Sequence, residues 1–440
     1  MTIYQYIERH AAQSPTRLAV VSPQERCTYG QLHERILQRA DSLAHCYSPG
    51  QVVCLRAQPT VDFLVSYYAI HRAGLVAAPL GSTIPDAAFS AAESRLASCS
   101  VPPGTADILF TTGTTGRSKG VIVSHRAMVA NAENLVSGQG YTSDLAFVAS
   151  GPLNHLGTLS KAYTVFMTGA TLVIVDGLKD INCFFSALDF PDASRTATFL
   201  VPASIRMLLL WGADRLAALE HKIDFIETGA AAISPADMAA LCRLLPHTRL
   251  YNTYASTETG IVCTYNFNDG RCLAGCVGRP MLHSLVAVTP QGFIACSGDT
   301  LMTGYAGDPE ATSALLKDGM LYTADIGRMD ADGMLYLQGR AGDIINVGGY
   351  KVDPVEVEQA ALSFPGVQDC VCIAVEHPVA GRALKLLLVM QPGQELQRRL
   401  LARHLLSCLE DYKVPQLYEL TDRVERTFNG KVDRRRYGGG

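Results

Sequence analysis

ILFTTGTTGRSKG, residues 108–120, is an apolar strand running into a loop that holds four threonines, one serine, three glycines and one lysine. Glycine lets backbone amides approach an anion closely, threonine hydroxyls add donors, and Lys119 supplies a mobile positive charge. Such a loop is built for phosphate groups. It is not a Walker loop, because the spacing from glycine to lysine is wrong and no Ser or Thr follows Lys119. Taken alone it also admits the lesser reading of a flexible surface loop, so its meaning depends on the rest of the chain.

Outward from this loop, short apolar runs rich in β-branched residues recur at 52–55, 107–110, 145–149, 171–175 and 198–201, with helical patterns between them. That rhythm predicts an α/β protein with largely parallel sheets. TYGQLHERILQRADSLAHC opens with Thr28 and has Gln31 three residues on, the spacing of a capping box. Leu32, Ile36, Ala40, Leu43 and Ala44 then fall on one face of a helix. After Gly339 the character changes, and a helix over 355–362 with strands over 371–375 and 384–389 predicts a compact α+β unit. The expected division is a large N-terminal domain, 1–339, and a small C-terminal domain, 340–440.

Composition excludes several classes of function. With 440 residues, 48% hydrophobic and 18% charged, the chain can bury more than one core. Thirty-seven basic residues against 41 acidic ones leave a net charge of −4, with no broad cationic surface for nucleic acid or an anionic membrane. The 13 cysteines are scattered without the repeated short pairs of zinc sites or secreted disulfide frameworks, and read as buried, reduced thiols. MTIYQYIERHAAQSP carries charge where a signal peptide needs an apolar run, and no stretch is apolar over the roughly 20 residues of a membrane span. Small-molecule chemistry in the cytoplasm, by a monomer or homodimer, is the expectation.

ILFTTGTTGRSKGVIVSH closely resembles the signature of the adenylate-forming (ANL) superfamily, which includes acyl-CoA synthetases, adenylation domains of nonribosomal peptide synthetases and beetle luciferase. Further stretches resemble the family's other motifs in the family's order: YNTYASTETG (251–260), GFIACSGDTLMTGYAGDPEAT (292–312), YTADIGRMDADGMLYLQGR (322–340) and RTFNGKVDR (426–434). Four departures are visible: Ser118 stands where proline is usual, Ala255 where glycine is usual, Phe293 where glutamate is common, and Gly342 at the customary aspartate or lysine pivot. The chain is also shorter than most such proteins, and the missing length falls between Leu80 and Asp107. The resemblance implies an acyl-CoA synthetase-like fold, with a large domain of layered sheets and helices and a small mobile C-terminal domain.

The same resemblance implies roles. Thr111, Thr112, Gly113, Thr114, Thr115, Gly116 and Lys119 would hold the β- and γ-phosphates of ATP. Tyr254 would stack on adenine, Thr257 would bond the α-phosphate, and Glu258 would help hold Mg²⁺; an aromatic face, a hydroxyl and a carboxylate suit a base, an oxyanion and a hard cation. Gly229 and Ala230 would lie beside adenine and the acyl pocket, to which Ala255 also belongs. Asp325 and Arg340 would meet the ribose. Lys431 would swing over the site and neutralise charge between the carboxylate and the α-phosphate, two anions that otherwise repel.

GPLNHLGTL (151–159) resembles the PL-x-H-x-x-G stretch of acyl- and aryl-CoA ligases and has no carboxylate to pair with an α-ammonium, so a non-amino acid is expected, with His155 orienting its carboxylate or gating the pocket. Gly348 and Gly349 would line the channel for a pantetheine thiol, and Gly342 or Asp343 would be the hinge. The expected reaction is ATP-dependent formation of an acyl-adenylate, then thioester formation with coenzyme A. Transfer to the phosphopantetheine of a carrier protein is the alternative acceptor, and a non-catalytic nucleotide-binding scaffold the alternative of another class.

Overall fold

The first long helix starts where a side chain caps it. Thr28 accepts from the Gln31 amide while the Gln31 side chain accepts from the Thr28 amide at 2.9 Å, and the helix Tyr29–Cys46 follows. Its inner face buries Tyr29, Leu32, Ile36 and Ala40; Leu43 is half-buried and Ala44 exposed, so this face ends a turn earlier than the apolar pattern suggests. This computed structural model describes residues 1–111, 119–343, 345–347, 350–377, 381–427 and 430–437.

The alternation of strand and helix builds a parallel run. Thr171–Ile174, Leu145–Ala149, Arg195–Leu200, Ile223–Gly229 and Arg249–Ser256 lie side by side in that order, all parallel. From Arg249–Ser256 the same sheet continues antiparallel through Gly260–Asn266, Cys276–Pro280, Leu335–Arg340, Met320–Met329, Phe293–Gly298 and Ser284–Val288. The expectation of largely parallel sheets therefore describes one half of it. Beyond residue 249 most strands follow one another through short turns, which join only antiparallel neighbours.

A second sheet carries the threonine-rich loop. Val52–Ala57, Val76–Gly81 and Thr105–Phe110 are parallel, and Gly120–Ser124 returns antiparallel to the last of them. Between 81 and 105 one helix, Asp86–Ala97, makes the crossover, in the region where the chain is short. Fully buried Asp107 fixes the middle of this sheet by accepting from Tyr67 Oη at 2.6 Å, Tyr163 Oη at 3.1 Å and the His71 ring at 2.9 Å. A buried carboxylate stripped of such donors costs several kcal/mol, on the order of what holds a domain together. The network thus anchors the strand that delivers Thr111 and the loop behind it.

The carboxy-terminal residues have their own core. Val352, Val357 and Ala361 pack under the strands Val367–His377 and Gly381–Met390 with Leu401 and Leu405 of the helix Arg398–Cys408. Arg206, on the helix Pro202–Trp211 of the large part, reaches across to this unit. It donates to the carbonyls of Leu362 at 2.9 Å, Val367 at 3.0 Å and Gln368 at 2.9 Å, while Asp237 holds its other nitrogen at 3.2 Å. The Leu362 carbonyl ends the helix Pro354–Leu362, where unsatisfied carbonyls collect and a cation is favoured, while Val367 and Gln368 open the strand Val367–His377. Among the described residues no helix is long and apolar enough to cross a membrane.

Candidate active site

A cavity of about 580 Å³ opens at the carboxyl ends of the parallel strands. Ser150, Val201, Gly229 and Thr257 line it, each at or just past the end of a different parallel strand. Ligands collect in this position in open α/β sheets because the connecting loops diverge there. Of the residues expected at the site, Thr111, Lys119, His155, Gly229, Ala230, Ala255, Thr257, Glu258, Arg340 and Lys431 all line this one cavity. Thr112, Gly113, Thr114, Thr115 and Gly116 lie outside the described residues, as do Gly348 and Gly349.

The threonine-rich loop leaves and returns through a narrow neck, where the Thr111 amide donates to the Lys119 carbonyl at 3.0 Å. Lys119 Nζ stands 4.7 Å from the centre of the Tyr305 ring, and Tyr305 Oη donates to Glu258 Oε1 at 2.9 Å. Cation, ring and carboxylate therefore form one chain along the cavity wall. Tyr305 escaped the sequence reading, although it sits in the quoted stretch GYAGDPE; nothing local distinguishes it from a strand tyrosine.

Thr257 and Glu258 sit in the tight turn between Arg249–Ser256 and Gly260–Asn266. The turn is closed by reciprocal bonds, Ser256 N to Thr259 Oγ1 at 3.1 Å and Thr259 N to Ser256 Oγ at 3.0 Å. Gly260 ends it at φ +70°, and a Cβ there would lie 2.6 Å from Asn131 Oδ1 and 2.7 Å from the Thr300 carbonyl, so only glycine fits. Tyr254 and Asp325 are joined to each other: Tyr254 Oη donates to Asp325 Oδ2 at 2.7 Å, and Arg340 Nε stands 3.6 Å from Asp325 Oδ1. Tyr254 is buried with Val262 and Ile294, and neither it nor Asp325 lines the cavity itself.

Lys431 arrives from the small unit. Its carbonyl accepts from the Thr427 amide at 2.7 Å, Arg426 is held to Asp369 at 2.7 Å, and a Cβ at Gly430 would lie 3.1 Å from Val201 of the large part. The ammonium is buried, which lowers its pKa, and the Arg340 charge lowers it further; Asp325, Glu258 and Asp343 pull it back. His155 precedes the helix Leu156–Thr168 as its N-cap residue, and its imidazole is pushed down to about 4 by burial, with the Lys431 charge adding to the effect. The ring is therefore neutral at neutral pH, a hydrogen-bonding group rather than a charge. Near the boundary of the two parts, the Asp343 amide donates to the Arg340 carbonyl at 2.9 Å, and among the described residues nothing but its chain neighbours lies within 4 Å of where a Cβ on Gly342 would stand.

Two further lining residues were not foreseen. Lys161 and Glu227 form an ion pair at 2.8 Å, with side chains 1% and 0% exposed, and both face the cavity. The stretch 151–159 indeed lacks a carboxylate, but the cavity wall contains, besides Glu258, the carboxylate of Glu227, already matched by a cation. A lysine in LSKAYTVF and a glutamate ending DFIE are the signals available, charges set in otherwise apolar runs.

A cavity at the carboxyl ends of parallel strands, closed by a lysine from a small C-terminal unit, belongs to the acyl-CoA synthetase fold. The solved structure of ATP-bound MatB from Rhodopseudomonas palustris superposes with a TM-score of 0.87 over 99% of this chain and 98% of its own, at 22% identity. The chain belongs to the AMP-binding enzyme family: the family model matches residues 7–100 and 89–306, and that of the AMP-binding enzyme C-terminal domain matches 356–431. The feruloyl-CoA synthase of an Amycolatopsis species is 28% identical over 98% of each chain. The oxalate–CoA ligase of Arabidopsis thaliana is 26% identical over 99% of this chain and 97% of its own. The two matched pieces of the family model meet within the helix Asp86–Ala97, the region of shortened chain.

Proposed function

We propose that this chain is an AMP-forming acid–CoA ligase that activates a non-amino carboxylic acid as its acyl-adenylate and then passes the acyl group to coenzyme A. The observation that carries the reading is the presence of Lys431, from the small C-terminal unit, in one cavity with Lys119, Thr257, Glu258 and His155. In the first half-reaction the carboxylate attacks the α-phosphorus of ATP. Lys431 lies between the two anions, Thr257 donates to the α-phosphate, and Thr111 and Lys119 hold the departing phosphates. Neutral His155 and the amino end of the helix behind it favour the carboxylate without neutralising it. In the second half-reaction the unit from about residue 340 turns about Gly342 and Asp343, withdrawing Lys431 and bringing 348–349 toward the adenylate for the thiol. Full-length similarity to CoA ligases supports coenzyme A as acceptor. A panel of aliphatic and aromatic acids, scored by pyrophosphate release and then by thioester formed with coenzyme A, tests the reading; release of phosphate and ADP instead of pyrophosphate and AMP contradicts it.

Glu258 presents a carboxylate to the cavity, within reach of the same space as Thr257 and Lys119. That fits Mg²⁺, which binds through one or two carboxylates together with substrate phosphates. Bound there, the ion would neutralise phosphate charge. Glu258→Gln is expected to raise the Mg²⁺ concentration needed for half-maximal adenylation by about 10–100-fold, the range seen on losing even an outer partner of a metal site. A titration of activity against Mg²⁺ at fixed ATP checks this, and an unchanged midpoint removes Glu258 from the role.

Arg206 holds the arrangement that keeps Lys431 in place. A hydrogen bond to a charged donor contributes about 1.5–3 kcal/mol, so Arg206→Ala is expected to depopulate this arrangement by roughly tenfold or more. Adenylate formation then slows, while thioester formation from supplied acyl-adenylate does not. Single-turnover measurement of each half-reaction separates the two; equal loss in both contradicts a latch.

A further inference from the structure

The pair Lys161–Glu227 has no part in adenylation as described, yet it lines the cavity. Glu227 lies two residues before Gly229 on the strand Ile223–Gly229, so the two residues share a face of the sheet. Lys161 lies six residues beyond His155 on the helix Leu156–Thr168, about 9 Å deeper along its axis at 1.5 Å per residue. His155 feels the charge of Lys431, so it marks the reacting end. The pair therefore belongs to the far wall, where the end of the acid remote from its carboxylate must rest.

One atom of that pair stands out. Glu227 Oε1 accepts from Lys161 Nζ at 2.8 Å, but Oε2 is buried with no hydrogen-bond partner among the described residues. Lys161 has three N–H donors, and this bond uses one of them. Its ammonium otherwise faces the ring of Phe199, 5.2 Å from the centre. A wall meant for an aliphatic tail would be apolar, since apolar residues can replace a buried ion pair with little or no loss of stability. A bare carboxylate oxygen there would be a cost with no return, because an unpaired buried acceptor loses its full solvation.

The chemistry of the missing partner follows from both ends of the pair. An ammonium would be repelled by Lys161 and a second carboxylate by Glu227. A hydroxyl donates to Glu227 Oε2 and accepts from a free Lys161 N–H, and is neutral. The wall beside it is aromatic, and an aryl group packs favourably on such a ring. Phe199, the sheet neighbour of Glu227, lies against both Gly157 and Gly229; a Cβ on either would stand 3.7 Å and 3.6 Å from the ring, and on Gly229 also 2.8 Å from the Thr253 carbonyl. We propose that the acid is a planar, hydroxyl-bearing one, whose distal hydroxyl is received by Lys161 and Glu227, and that this pair sets acyl specificity. The inference rests on the reading of this cavity as the acyl site.

Matched acids test it with the wild-type protein: 4-hydroxycinnamate against cinnamate, and 4-hydroxybenzoate against benzoate, by kcat/KM for pyrophosphate release. At least one hydroxylated member is expected to exceed its deoxy partner by roughly 100-fold or more, since a buried site built around a hydroxyl strongly rejects the analogue that lacks it. In Lys161→Met/Glu227→Leu the order is expected to reverse. Equal kcat/KM within both pairs in the wild type, or a preference that survives the double substitution, overturns the assignment. Turnover of apolar acids with none of the hydroxylated ones also overturns it, and leaves acid activation standing. Absence of pyrophosphate release with every acid of a broad panel removes acid activation itself and this inference with it.

Discussion

Lys431→Ala is expected to lower acid-dependent exchange between pyrophosphate and ATP by roughly 10²–10³-fold, the loss typical when one preorganised charge-stabilising donor is removed. The expectation follows from where the ammonium sits. It lines the cavity, where burial and the Arg340 charge lower its pKa and Asp325, Glu258 and Asp343 oppose that, so its charge is placed among the groups that meet the reacting anions. ATP binding is expected to change little, because Thr111, Lys119, Asp325 and Arg340 remain. Thioester formation from supplied acyl-adenylate is also expected to persist, since that step needs the lysine withdrawn. Exchange rate, nucleotide affinity and the isolated second half-reaction together check the claim. Exchange at the wild-type rate excludes Lys431 from the adenylation step.

The second large effect is on stability. Lys161→Met leaves Glu227, a fully buried carboxylate, without its cation, and breaking a buried pair in this way costs about 3–5 kcal/mol. The urea midpoint is expected to fall accordingly. Substituting both, Lys161→Met with Glu227→Leu, is expected to recover most of that loss, because the apolar replacement removes both desolvated charges at once. Urea titrations of the wild type, the single and the double variant check this. A single variant as stable as the wild type contradicts the description of the pair as desolvated.

What the sequence made legible was local. The strand running into a phosphate-type loop at Thr111 to Lys119 and the capped helix at Thr28 are each written in a few consecutive residues, whereas the bonds of Ser256 and Thr259 that close the Thr257–Glu258 turn were not read there. The resemblance to a family brought Lys431 to the same site as these, which no local pattern does, since it depends on how the small unit docks. The antiparallel half of the large sheet was missed because strand runs look alike in either direction and only the connections distinguish them. Lys161 and Glu227 were missed for a different reason. They are 66 residues apart, one on a helix and one on a strand, and meet only because the strand order places Ile223–Gly229 under that helix. Arg206 is the same kind of residue: its three carbonyl partners lie more than 150 positions away. Tyr254, expected against adenine, has its hydroxyl committed to Asp325, which ties two of the quoted motifs together before any nucleotide arrives.

The most direct measurement of the central claim follows an oxygen atom. An accepted acid labelled with ¹⁸O in its carboxylate is turned over with ATP and coenzyme A, and the products are examined by mass spectrometry. If the carboxylate attacks the α-phosphorus and a thiol then displaces AMP, one labelled oxygen must appear in AMP and none in pyrophosphate. Label recovered in inorganic phosphate, with ADP as the nucleotide product, contradicts the adenylate route.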